Sequence, residues 1–152
     1  MRKSFKIILG ILYWILSLTW GGIMSIPGLV VGLLVLACGG KLHKNGFSVI
    51  IEIGGNWGGI NLGVISLCGS YSVTNRVFFK HTRSHEFGHS IQNIIFGPLQ
   101  LFIVGIPSAI RYWYKIIAQK NGKIFDHDWY ESIWFEGTAS KWGKKSIILI
   151  EG

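Results

Sequence analysis

A chain of 152 residues with 49% apolar and only 14% charged residues has the composition of a membrane protein, since about a quarter of an ordinary soluble domain is charged. Its length leaves room for one domain of about a hundred residues beside a membrane anchor. The net charge of +8 arises from basic residues scattered in ones and twos, which excludes the clustered basic surface of a nucleic-acid-binding protein and favours contacts with anionic lipids.

No charged residue occurs between Ile7 and Cys38, a stretch longer than the roughly 20 residues that one membrane-spanning helix requires. The segment WGGIMSIPG, residues 20–28, interrupts this stretch with two adjacent glycines and Pro27, which are typical of a turn. The sequence therefore predicts a transmembrane hairpin of two short helices, with residues 1–45 as a membrane domain.

Basic residues lie at both ends of the predicted hairpin, whereas its turn is uncharged. They are Arg2, Lys3 and Lys6 before it and Lys41 and Lys44 after it. Because positively charged flanks stay in the cytoplasm, both ends and the domain that follows are expected at the cytoplasmic face of a bacterial inner membrane. A single tilted span and a cleaved signal peptide are the alternatives. The second apolar run and the lack of a small-residue cleavage site argue against the signal peptide.

Residues 47–73, FSVIIEIGGNWGGINLGVISLCGSYSV, are rich in valine, isoleucine and serine and are broken by glycines. This composition predicts two or three short strands with tight turns, and thus a small β-sheet. The glycines do not match a phosphate-binding loop, because neither a G-K-S/T ending nor a G-x-G-x-x-G pattern is present. The expected fold class is α+β, with residues 46–152 as the second domain.

The segment KHTRSHEFGHSIQNIIFGP, residues 80–98, contains the pattern H-E-x-x-H at His85, Glu86 and His89. On a helix the two histidines lie four residues apart on one face, where both imidazoles can bind one metal ion and Glu86 can hold a water molecule. The opposite face is apolar, and a Gly-Pro pair ends the segment. The pattern predicts an amphipathic helix whose polar face is a zinc-binding site.

A catalytic zinc site needs a third protein ligand and an open position for water. His81 lies on the same helix face, but His81 and His89 would be about 12 Å apart, too far to share one ion through a line of three histidines. His81 is therefore expected beside the site or in solvent. The extended pattern H-E-x-x-H-x-x-G-x-x-H is absent, because Gln92 and Ile95 occupy the positions of its glycine and last histidine. The third ligand must come from another part of the chain.

Acidic residues are scarce, and four of the seven fall between residues 126 and 136. Glu136 is the favoured third ligand, because small residues on its helix face would let that helix approach the H-E-x-x-H helix closely. These small residues are Ala139, Ser140 and Gly143. The main alternative is Glu131. The others are Asp126, His127 and Asp128.

The chain resembles the gluzincin branch of the zincin metallopeptidases, in which H-E-x-x-H is completed by a glutamate on a later helix. It is also similar to a group of small bacterial membrane proteins with NWGG, HEYGH, GPLYL and GLPS elements and a final E-x-x-A segment. The corresponding stretches are NWGG at 56–59, HEFGH at 85–89, GPLQL at 97–101, GIPS at 105–108 and EGTA at 136–139. Over residues 50–143 the departures are mild, since Phe87 and Gln100 replace tyrosines that are not ligands. The resemblance implies a zinc-dependent hydrolase.

The expected function is that of a membrane-associated zinc metallopeptidase that hydrolyses peptide bonds. Zinc would be bound by His85, His89 and Glu136, with Glu86 as the catalytic base. The candidates for stabilising the oxyanion are Tyr130, His127 and Arg111, and their spacing does not select among them. The strands around residues 56–68 offer an edge for an extended peptide or protein substrate. The alternative is non-catalytic: a structural zinc site, or a degenerate protease-like module that binds a partner.

The apolar segment at residues 94–114 constrains the topology. If it crossed the bilayer once, His85 and Glu136 would lie on opposite sides and would not share an ion. It is therefore expected to be re-entrant, interfacial or buried, and the aromatic run at 112–114 beside Arg111 is typical of an interfacial anchor. The polar motif helix, and the lack of a later N-P-D-G or L-D-G motif, argue against a site-2-type intramembrane protease.

Overall fold

The computed structural model describes residues 3–126 and 128–151, which form an α+β fold of six α-helices and one four-stranded sheet. The helices are α1 (Lys3–Leu18), α2 (Gly22–Ala37), α3 (Ser70–Thr74), α4 (Arg76–Phe96), α5 (Ile106–Lys120) and α6 (Trp134–Glu151). The strands are β1 (Lys41–Asn45), β2 (Ser48–Ile53), β3 (Gly59–Leu62) and β4 (Ile65–Gly69). The α+β class expected from the sequence is confirmed.

The sheet is mixed, with the strand order β1-β2-β4-β3. β1 and β2 form an antiparallel hairpin, β2 and β4 run parallel, and β3 pairs antiparallel with β4, so β3 lies at one edge of the described sheet. Every residue of β4 is buried. The core beside it includes Tyr13 of α1, Ile51 of β2 and Phe87 of α4. Helices from both halves of the chain therefore pack against the sheet.

The sheet contains one strand more than the two or three that the sequence analysis expected. The extra strand is β1, in the segment KLHKN. A two-residue turn joins it to β2, with Asn45 paired to Ser48 and with Gly46 at φ +63°. That conformation favours glycine and matches a type II′ hairpin turn. β1 is mostly exposed, so it lacks the apolar alternation that would have indicated a strand.

The two N-terminal helices are present, but they do not form a closed hairpin. The axes of α1 and α2 bend by 98°, so the pair forms an elbow. Pro27, which the sequence analysis placed in the turn, lies inside α2. The elbow arises because α2 packs on the sheet: a Cβ at Gly28 would lie 2.1 Å from the carbonyl oxygen of Leu62, and one at Gly32 would lie 3.1 Å from Ile65. The prediction of a helical hairpin is corrected accordingly.

Length and composition make the helical stretch Leu101–Lys120 a candidate membrane span, whereas α1 and α2 qualify only together, as a bent pair. A π-helical turn at Leu101–Gly105 leads directly into α5. None of the residues of α5 is buried by the described chain. Of the three placements expected for residues 94–114, burial within the protein is therefore excluded for the α5 part.

Candidate metal centre

The H-E-x-x-H segment lies on the long helix α4. The side chain of Asn75 caps the start of α4 by accepting a hydrogen bond from the backbone nitrogen of Phe78 at 3.1 Å. Gly97, at φ +53°, follows the last residue of the helix, and a Cβ there would lie 2.2 Å from the ring of Trp20. The predicted helix and its stop at Gly97 are confirmed.

Small residues bring α4 and α6 into backbone contact. A Cβ at Gly88 would lie 1.8 Å from the carbonyl oxygen of Ala139, and a Cβ at Gly143 would lie 1.7 Å from that of Ser84. Neither position tolerates a side chain unless the helices move apart. The close approach expected from the small residues of α6 is confirmed, and it places the side chains of both helices within reach of one metal ion.

Replacing Gly88 by alanine is expected to lower the free energy of unfolding by about 1–3 kcal/mol, because the added methyl group overlaps the α6 backbone. Chemical denaturation of the detergent-solubilised chain measures the change. Gly54→Ala is the control, since a Cβ at that position meets no atom of the described chain within 4 Å. Equal stability of the two variants would contradict the close packing of α4 and α6.

Three side chains that could bind one metal ion meet between α4 and α6: His85, His89 and Glu136. The Nε2 atoms of the two histidines are 3.0 Å apart, and Glu136 Oε2 lies 3.0 Å from the first and 3.2 Å from the second. Tetrahedral zinc with bonds of about 2.0–2.1 Å separates its ligand atoms by roughly 3.3 Å. The three atoms are therefore close to the spacing that one zinc ion requires.

Gln92 determines which nitrogen of His89 carries the proton. Its amide nitrogen donates to the backbone oxygen of Phe135 at 2.7 Å and to Thr138 Oγ1 at 2.8 Å, so its oxygen faces His89 Nδ1 at 2.8 Å. His89 Nδ1 then donates the hydrogen bond, and Nε2 keeps its lone pair for the metal. The sequence analysis noted Gln92 only as a departure from the extended motif, although its i+3 spacing from His89 indicated a contact.

Replacing Gln92 by leucine is expected to weaken zinc binding by about 10- to 100-fold, because His89 loses the acceptor that orients its ring. Competition with a chelator of known affinity measures this change. Thr138→Val removes only one acceptor of the Gln92 amide and leaves the other, so it should cost less. Parental zinc affinity in the Gln92 variant would contradict the orienting role.

Ser140 and Glu131 lie on the outer side of His85. Ser140 Oγ is 2.7 Å from His85 Nδ1, and Glu131 Oε1 is 3.0 Å from His81 Nε2 but 3.9 Å from His85 Nδ1. A hydrogen bond from His81 lowers the pKa of Glu131 to about 2, against the opposing effect of partial burial. The Glu131 carboxylate is therefore not one of the atoms that converge with the Nε2 atoms of His85 and His89. His81 lies beside the centre, as expected.

The remaining candidates for the third ligand do not enter the group that the described residues form. Asp126 and Asp128 are exposed. His127 lies outside the described residues. Of the predicted ligands, the structure brings together His85, His89 and Glu136.

The charges in the centre suit a cation. Burial acts to raise the pKa of Glu136, but the adjacent imidazoles of His85 and His89 outweigh it and hold this pKa well below its usual range. Glu136 Oε1 is buried and has no hydrogen-bond partner among the described residues. Buried charges in proteins are paired or bind metals, and nitrogen and oxygen donors in this number suit zinc. The residues present therefore fit the metal that the sequence predicts.

Glu86 lies beside the three donors, with its carboxylate against β3. Only 4% of the residue is exposed, and a Cβ at Gly59 would lie 2.6 Å from its Oε1 atom. Burial raises the pKa of Glu86, whereas the imidazoles of His85 and His89 act in the opposite direction. Its Oε2 atom has no hydrogen-bond partner within the described chain. Such a carboxylate is suited to accept and return a proton.

Asn61 fastens the edge strand β3 to α4. Its Nδ2 atom lies 3.2 Å from the carbonyl oxygen of Glu86 and 2.8 Å from Ser90 Oγ. Its Oδ1 atom accepts a hydrogen bond from the backbone nitrogen of Gly63 at 3.0 Å. The edge of the sheet is therefore fixed beside the helix turn that carries Glu86.

Tyr130 and Arg111, two of the candidates for stabilising the oxyanion, differ in their position relative to the donor group. Tyr130 Oη lies 3.0 Å from Ser108 Oγ, and burial, then the negative charges of Glu136 and Glu86, raise the pKa of Tyr130. The guanidinium of Arg111 instead donates to the backbone oxygen of Tyr130 at 3.0 Å. The Tyr130 hydroxyl thus lies in the field of the centre, whereas Arg111 holds the loop. The third candidate, His127, is outside the described residues.

Two of the sequence elements that carry the resemblance lie near the donor group. Gly59 of NWGG leaves room for Glu86, and Ser108 of GIPS contacts Tyr130. No protein-family model, no curated protein and no solved structure matches this chain.

Proposed function

We propose that this chain is a membrane-associated zinc metallopeptidase of the gluzincin type. The observation that carries the proposal is the convergence of two imidazole nitrogens and one carboxylate oxygen within 3.2 Å of one another, beside the buried carboxylate of Glu86. A structural zinc site needs its ligands but no additional buried carboxylate beside them. Glu86 is such a carboxylate, and its Oε2 atom has no hydrogen-bond partner in the described chain. The placement of Glu86 therefore favours hydrolysis over a purely structural role.

His85, His89 and Glu136 would hold the zinc ion, which when bound polarises the scissile carbonyl and lowers the pKa of its water to about 7. Glu86 would take the proton from the attacking water and return it to the nitrogen of the leaving amine. The Glu86 carboxylate is free for this role, because its Oε2 atom has no hydrogen-bond partner within the described chain.

The edge strand β3 supports a peptide as the substrate. β3 pairs with β4 on one side, at the edge of the described sheet, and Asn61 holds it beside Glu86. An extended peptide that adds to this edge through backbone hydrogen bonds would bring a backbone carbonyl next to Glu86. We therefore assign an extended segment of a peptide or protein as the substrate.

Tyr130 would donate a hydrogen bond to the oxyanion that forms from the substrate carbonyl. Tyr130→Phe is expected to lower kcat by about 10²- to 10³-fold with its zinc retained, because only this donor is lost. Kinetics on a fluorogenic peptide, combined with metal analysis, measure both quantities. Tyr71→Phe, at an exposed tyrosine outside the centre, is the control. A Tyr130 variant with the parental kcat would remove Tyr130 from the mechanism.

The membrane part of the proposal is supported by apolar faces that α1 and α2 turn outward. The exposed side chains include Ile8, Leu12, Ile15, Ile23, Val30 and Leu34. Monomeric soluble proteins rarely expose contiguous apolar surfaces of this kind. The lysines at 41 and 44, which follow α2, favour the cytoplasmic face of the membrane for the centre.

The proposal is tested on the full chain purified in detergent, by measuring zinc content and hydrolysis of a peptide library. We expect stoichiometric zinc, and hydrolysis that a chelator abolishes and added zinc restores. A chain without affinity for zinc would refute the metal centre. A chain that binds zinc and cleaves no member of the library would favour the structural zinc site.

A further inference from the structure

α5 and the π-helical turn before it carry an apolar stripe that the described chain leaves uncovered. Its members recur every three or four residues, so they share one helix face. They are Phe102, Ile106, Ile110, Trp113 and Ile117, each between 43% and 65% exposed. An exposed apolar stripe of this length marks a surface that binds another apolar body.

The other side of α5 is covered by the described part of the loop that leads to α6. Arg111 donates to the backbone oxygens of Trp129 and Tyr130, and its guanidinium lies over the Trp129 ring. Farther along the helix, the hydroxyl of Tyr114 accepts a hydrogen bond from Lys123 Nζ at 2.8 Å. The chain therefore runs back along α5 after the helix ends, and it does so largely as irregular backbone.

This return path excludes an orientation in which α5 crosses a bilayer. If α5 crossed, the irregular backbone beside it would enter the hydrocarbon layer, where lipid-exposed non-helical backbone does not occur. The loop also carries the charges of Lys123, Asp126 and Asp128, which are costly at that depth. A membrane that contacts α5 must therefore meet it lengthwise.

Charge and neighbouring surfaces favour an anionic bilayer as the occupant of the stripe. No acidic residue occurs between Glu86 and Asp126. The basic residues in this interval are Arg111, Lys115, Lys120 and Lys123. The stripe also adjoins the α1–α2 elbow, since a Cβ at Gly105 would lie 3.8 Å from Met24 Cε. An apolar stripe flanked by cations and continuous with other exposed apolar faces fits the surface of an anionic membrane.

We propose that α5 is an in-plane helix that buries its apolar stripe in the surface of an anionic bilayer and carries the loop with Tyr130 on its water-facing side. The membrane contact stands on the stripe and the return loop and needs no metal. One consequence rests on the proposed function: because Ser108 of α5 contacts the Tyr130 hydroxyl, the metal centre opens at the bilayer surface and takes peptide segments that lie there.

Spin labels at Ile106→Cys, Ile110→Cys and Ile117→Cys measure the depth of α5 in the full chain, reconstituted in nanodiscs of phosphatidylcholine and phosphatidylglycerol. The exposed Cys38 is replaced by serine to avoid background labelling, whereas Cys68 is fully buried. Relaxation by oxygen and by a water-soluble nickel chelate reports each label's depth. We expect all three labels at a similar depth of about 5–10 Å, and a control label at the exposed Lys145 of α6 in water.

Other arrangements give different results, because Ile106 and Ile117 are separated by about 16 Å along the helix axis. A steady change of depth from the first label to the last would overturn the in-plane orientation. Full exposure of all three labels to the nickel chelate, or spin–spin broadening from a second copy of the chain, would overturn the bilayer as occupant. Equal depth in nanodiscs without phosphatidylglycerol would overturn the anionic requirement. These readouts need neither zinc nor hydrolysis, so their failure is distinct from failure of the proposed function.

Discussion

Replacing Glu86 by glutamine is expected to lower the rate of peptide hydrolysis by about 10²- to 10⁴-fold while the variant keeps its zinc. Glutamine has nearly the same volume as glutamate, so it should occupy the space beside Gly59 without strain. It does not accept a proton at neutral pH, however, and the attacking water loses its base. Zinc should stay, because the three converging donor atoms belong to other residues. Values of kcat/KM and the zinc content per chain measure the two effects.

Glu52→Gln is the matched control for this variant. Glu52 lies on β2, where it pairs with His43 at 3.3 Å, and it is outside the metal-binding group. It should leave hydrolysis and zinc content at the parental level. Parental activity in the Glu86 variant would remove Glu86 from the mechanism as the base. An equal loss in both variants would assign the loss to folding and contradict the specific role of Glu86.

The helix that carries the motif could be predicted because its local signals agree. Asn75 caps its start, Gly97 and Pro98 end it, and apolar residues line one face. The angle between α1 and α2 could not be predicted in this way. The glycines at 21 and 22 indicate a break, but the bend is set by contacts of Gly28 and Gly32 with strands more than 15 residues away in sequence. Such contacts leave no periodicity in the sequence.

The donor group could be selected from the sequence for a similar reason. Acidic residues are scarce, and the small residues of α6 point to a close helix partner, which Gly88 of α4 supplies. The contacts of residues around the donor group were harder to predict. The i+3 spacing of Gln92 from His89 is a local signal, whereas the contact of Ser108 with Tyr130 arises only when the loop after α5 folds back. The sequence therefore predicts the donors better than the residues that orient them.

Replacing Glu136 by glutamine is expected to abolish stoichiometric zinc binding. Glu136 is fully buried and supplies the negative charge of the donor group, so its loss should cost more than the about 10- to 100-fold effect of losing an outer hydrogen bond. Metal analysis and thermal unfolding measure the result. At a zinc concentration about a thousand times Kd, the parent should gain about 4 kcal/mol, a rise in Tm of roughly 8–16 °C, whereas the variant should gain almost nothing.

Glu131→Gln is the control, because the sequence left Glu131 as the main alternative to Glu136 for the third ligand. Its carboxylate lies 3.0 Å from His81 and on the Nδ1 side of His85, so the variant should keep its zinc and its zinc-dependent rise in Tm. The reverse result, with zinc lost in the Glu131 variant and kept in the Glu136 variant, would require α6 to turn Glu136 away from the histidines. It would also require the preceding turn, Tyr130–Ser132, to bring Glu131 to them. The contacts at Gly88 and Gly143 leave no space for α6 to turn in this way. Such a result would therefore overturn the packing of α4 against α6 together with the ligand set.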